Sequence, residues 1–180
     1  MGIWGNQVLP RLAEMMEGAY PSPPPSSGYV IAPGTFQSGD YKVELDHEDY
    51  PLAAFAGAYS LLIESTGFVQ AEPRVNKRAG VARKRATIKL RIGYVIGQDS
   101  AQADSGGVTA EQAARVSAAD DAHMIAMVLS EPSNWGGLTP PMYSVRQSSD
   151  TTYARVVDGQ RLLSETLYEV EVGYVPGTAY

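Results

Sequence analysis

The chain has 180 residues, a net charge of −6 and no cysteine. That length suits one domain, or one domain with an arm, and a fold of this size hides roughly 70% of its unfolded surface. The missing cysteines exclude disulfide frameworks, thiolate metal sites and cysteine nucleophiles, and fit assembly in a reducing cytoplasm. The acidic balance argues against a free-standing duplex binder, which is usually basic on one face. No basic start followed by an apolar run marks a signal peptide, and Asn6 stands where a myristoylation signal wants Ser or Thr. No run of about 18 apolar residues is present to cross a membrane.

Ile3, Val8, Leu12, Met15 and Met16 recur at helical spacing. Pro10 interrupts that pattern and disfavours helical angles at Leu9. A regular helix is therefore expected from Pro10 to Glu17, ended by Gly18. Residues 21–40 are rich in Pro, Ser and Gly, and Pro23, Pro24 and Pro25 make a stiff extended piece. Two readings stand for it: a plain surface loop, or an arm that touches a neighbour.

Tyr41 to Leu45 alternates apolar and charged residues, as a half-buried strand does. Asp46 to Tyr50 is an acidic loop. Pro51 to Phe68 is apolar. Its Ala-rich start suits a helix and Tyr59 to Glu64 a strand, with the boundary left open by periodicity. Residues 74–85 hold Arg74, Lys77, Arg78, Arg83, Lys84 and Arg85, six of the fourteen basic residues. Gly80 and the lack of an apolar period predict a loop there.

Ala86 to Ile96 is the clearest strand. Ile88, Leu90, Ile92, Tyr94 and Ile96 point one way, and Thr87, Lys89, Arg91 and Gly93 the other. Residues 97–107 are small and polar and read as a loop. A helix then runs to Leu129. It starts either at Thr109, where Gln112 completes a capping-box pattern, or again at Ser117, ahead of Asp120 and Asp121. Ala118, Ala122, Ile125 and Leu129 form its expected buried stripe, flanked by Met124 and Val128, and Pro132 stops it.

Residues 134–141 are turn-rich, and Met142 to Val145 suits a short strand. Tyr153 to Val157 and Gln160 to Tyr174 flank Asp158-Gly159, a type I′ hairpin signal. In the last strand Tyr168, Val170, Val172 and Tyr174 share one face, and Glu169 and Glu171 the other. If this strand neighbours residues 86–96, Lys89 and Arg91 meet Glu169 and Glu171, each pair contributing roughly 0.2–1 kcal/mol. The competing reading is two independent solvated faces.

The elements add up to an α+β fold, mostly antiparallel sheet with helices packed on it, spanning residues 1–180 with a long Pro-rich loop near the N-terminus. Four stretches carry a family resemblance: Arg85-Ala-Thr-Ile-Lys-Leu-Arg-Ile-Gly-Tyr, the helix over Asp120–Leu129, Trp135-Gly-Gly-Leu, and the closing Leu167-Tyr-Glu-Val-Glu-Val-Gly-Tyr. Over about residues 74–175 the chain resembles the tail-terminator family of long-tailed bacteriophages. That resemblance implies a non-enzymatic virion protein without a cofactor, assembled in the host cytoplasm. It implies a hexameric ring that caps the tail tube protein, meets a head-closure or neck protein, and lets DNA pass through its lumen. The interface candidates are Arg74, Lys77, Arg78, Arg83, Lys84, Arg85, Lys89, Arg91, Glu169, Glu171 and Trp135. The Pro-rich arm and the 97–107 loop match no part of the family pattern.

Catalytic readings are thin. Asp46-His47-Glu48-Asp49 looks like a metal cluster, but adjacent loop residues rarely converge on one ion. His123 follows Asp120 and Asp121 without the partners of a zinc or di-iron site. There is no nucleophile elbow and no P-loop, and Ser105-Gly106-Gly107 lacks a following phosphate-binding lysine. Glu169 and Glu171 sit roughly 7 Å apart along one strand face, with nothing else to suggest a glycosidase. Eleven tyrosines and two tryptophans, Trp4 and Trp135, suit interfaces and sheet surfaces alike. The alternatives to a terminator are another neck component, a small metal-dependent hydrolase using His47 or His123, and a DNA-binding module using residues 74–85.

Overall fold

The computed structural model describes residues 4–19, 29–33, 35–36, 59–69, 82–97, 107–135 and 144–174. The expected strand at Tyr41–Leu45, the acidic loop, the Ala-rich start, and most of the Pro-rich and 97–107 loops lie outside them. So do Arg74, Lys77 and Arg78.

A π-helical turn, Trp4–Val8, runs into helix α1, Leu9–Met16. In an α-helical register Pro10 would have to donate an N–H four residues back, and it has none. The widened turn lies at that point. Leu9 is helical even so, against the expectation for a residue before proline. Gly18 ends the helix as its sequence position predicts. Its φ is +65°, with Gly18 N donating to Met15 O and Ala19 N to Glu14 O. These two bonds make the Schellman closure that favours glycine.

Strands β1 (Tyr59–Val69), β2 (Ala82–Val95), β3 (Ser144–Asp158) and β4 (Arg161–Tyr174) form one antiparallel sheet in the order β1-β2-β4-β3. The fold is thus α+β, with an antiparallel four-stranded sheet and two α-helices among the described residues. β2 starts at Ala82, so residues 82–85 are strand where a loop was expected. The charged run at its start does not alternate; backbone pairing with β1 on one side and β4 on the other carries it into the sheet. β3 is likewise one strand of 15 residues where two short pieces were expected, joined through an irregularity between Gln147 and Ser149.

The β3–β4 hairpin exists, but its turn is Gly159-Gln160, with Asp158 paired to Arg161. Neither turn residue has a positive φ, so the expected type I′ turn does not form. A register irregularity between Val156 and Asp158 takes up the mismatch.

Helix α2, Ala110–Ser130, is continuous. It starts at the first of the two expected sites. Thr109 Oγ1 accepts from Gln112 N at 3.2 Å, and Gln112 Oε1 accepts from Thr109 N at 3.0 Å. Asp120 and Asp121 therefore lie mid-helix, and no new helix begins at Ser117. A 3₁₀ turn at Pro132–Trp135 follows.

The core lies between the helices and one sheet face. Ile88, Leu90, Ile92, Tyr168 and Val170 meet Leu12, Met16, Ile125 and Leu129 there. Ala118 packs with Leu162 and Ala114 in a second cluster. Val128 is buried, whereas Met124 is exposed and so stands away from the expected stripe. Polar clamps hold α2 on the sheet. Tyr94 Oη donates to Asp121 Oδ2 at 2.8 Å, Tyr168 Oη to Ala122 O at 3.2 Å, and Arg115 Nη1 to Ala154 O at 2.7 Å.

Part of the Pro-rich region packs on the same core. Ile31 and Phe36 are buried, and Phe36 meets the Tyr59 ring edge-on at 6.4 Å between centroids. Tyr59 Oη donates to Glu17 Oε1 at 2.8 Å, which joins this segment, β1 and the end of α1.

Candidate functional site

The sheet face turned away from the helices carries the charges. Strand alternation puts Arg85, Thr87, Lys89 and Arg91 on that side of β2, opposite the core row of Ala86, Ile88, Leu90 and Ile92. β4 supplies Glu165, Glu169 and Glu171 on the same side. The two strands are neighbours, as the pairing argument requires.

The partners differ from those expected. Antiparallel register sets Arg91 opposite Glu165, Lys89 opposite Leu167, Thr87 opposite Glu169 and Arg85 opposite Glu171. β2 and β4 share no turn, so the packing of the sheet sets their register, and it places the carboxylates of β4 four positions along β2 from the expected match. Arg91 Nε donates to Glu165 Oε2 at 2.9 Å. Arg85 Nη2 reaches Glu171 Oε1 at 2.7 Å, and its Nη1 lies 3.8 Å from Glu169 Oε2. Lys89 turns to β1, where its Nζ is 2.7 Å from Glu64 Oε1.

These ion pairs bring together three cations and four carboxylates. The hydrogen bond that Arg85 donates to Glu171 holds its guanidinium pKa above the usual value. The nearby Glu169 charge adds to it, against some desolvation. Every carboxylate in the row is engaged by a cation, which leaves no pair arranged as acid and base.

Among the other candidates, Arg83 lies in β2 opposite Val69 and Gly173. Lys84 follows it in the strand. Trp135 is buried, and its Nε1 donates to Leu129 O at 2.8 Å. Its indole therefore closes the C-terminal end of α2 beside Asn134, whose Nδ2 donates to Val128 O at 2.8 Å. The sequence reading missed Glu64 and Glu165. Glu165 shares the parity of Glu169 and Glu171, so alternation alone places it on their face. Glu64 sits at an irregularity between Ile63 and Ser65, where parity no longer tells which way a side chain points.

The chain matches no protein-family model and no curated protein. Among the described residues, no group of three or more His, Cys, Asp or Glu could hold a metal ion. His123 is exposed on α2, and His47 lies outside the described residues. No helix among the described residues is long and apolar enough to cross a membrane. The apolar gap between helices and sheet is lined by Leu12, Met16, Ile88, Leu129, Val170 and the ring of Tyr168, among others. It offers no set of converging polar groups to orient a substrate.

Proposed function

We propose that this chain is a tail-terminator subunit of a long-tailed bacteriophage. In this reading it forms a hexameric ring that caps the finished tail tube, receives the head-closure or neck protein, and lets DNA pass. It is a structural protein of the virion and performs no reaction. The observation that carries the reading is the unit β2–α2–β3–β4. A long strand with a charged start, a helix and a closing hairpin join in one sheet, in the chain order of the family that the sequence resembles.

The charge row supports the same reading. A surface that lets DNA pass must not hold it, and duplex affinity grows with each phosphate that a free cation neutralises. Arg85, Lys89 and Arg91 are instead engaged by carboxylates. A ring subunit also needs head-to-tail contacts that close by rotation, and these call for surfaces more than for a pocket.

Electron microscopy of tails assembled without this protein tests the proposal. The expected result is overlong tails that fail to join heads. Tails of normal length with leaking heads would move the assignment to a head-closure component. Light scattering on the purified chain, with and without tails, gives the second readout. A monomer that never joins tails overturns both virion readings.

A further inference from the structure

We draw no further inference here: the strongest candidate, the outward face of α2 that carries the exposed Val116 and Met124, is an unpartnered apolar face, and nothing in the structure shows what covers it.

Discussion

Arg91 on β2 and Glu165 on β4 stand directly opposite each other, with Nε and Oε2 2.9 Å apart. Their side chains are only 14% and 23% exposed, against 44% and 37% for Arg85 and Glu169. Burial weakens solvent screening, so the inner pair should couple more strongly than the outer one.

A double-mutant cycle with Arg91→Ala and Glu165→Ala should give a coupling of about 1 kcal/mol in urea unfolding. The same cycle on Arg85 and Glu169, 3.8 Å apart and more exposed, should give a smaller coupling. Additive effects at Arg91 and Glu165 would show that the pair contributes nothing beyond its two side chains.

Gly18 is held at φ +65° with the following segment pressed against it. A Cβ there would meet Pro33 N at 2.7 Å, Pro33 Cα at 2.8 Å and Ile31 O at 2.9 Å. Those are backbone atoms and give way little. Gly18→Ala should cost about 1–2 kcal/mol for the left-handed backbone and more for the clash. Proteolytic cleavage near residues 29–36 should rise with it. Gly97 is the control, since it has φ +93° but nothing near its added Cβ. Gly97→Ala should lower stability and leave cleavage at 29–36 unchanged. Equal cleavage in the two variants would remove the packing argument.

Trp135 is buried and gives its only side-chain N–H to the Leu129 carbonyl. Trp135→Phe keeps an aromatic ring but leaves that carbonyl without this donor. The cost should be about 1–3 kcal/mol. For a chain of this length, that is roughly a 2–10 °C fall in Tm by calorimetry. A Tm within a degree of the wild type would mean that the indole hydrogen bond does not help to close α2.

Burial raises the Tyr94 pKa above its ordinary value of 10.0, and the Asp121 carboxylate beside it adds to the shift. Folding thus favours the neutral phenol. Its contribution is fully present below the unfolded pKa of about 10 and is lost as pH rises above that value. Stability should fall above pH about 10, and Tyr94→Phe should fall less steeply there while losing about 1.5 kcal/mol at neutral pH. Parallel pH profiles for the two proteins would assign the alkaline loss to other groups.

The elements that the sequence alone determined are those whose signal is local. The alternation from Thr87 to Ile96 depends only on the two-residue period of a strand, and its buried row is Ile88, Leu90 and Ile92. Thr109 with Gln112, and Gly18 after α1, act within one helical turn, so their roles were legible from spacing. Even the adjacency of β2 and β4 could be argued from their opposite charges.

Tertiary structure alone decided which charges meet. Register is a long-range quantity where β2 meets β4, two strands joined by no turn, and where an irregularity in β1 shifts its own pairing with β2, and no periodicity reveals either. It moved Arg91 to Glu165, Arg85 to Glu171 and Lys89 across to Glu64 on another strand. It also carried residues 82–85 into the sheet. Trp135 went inward for the same kind of reason. An indole suits a surface or a core equally by composition, and only the open carbonyl of Leu129 at the end of α2 gave its N–H a buried partner.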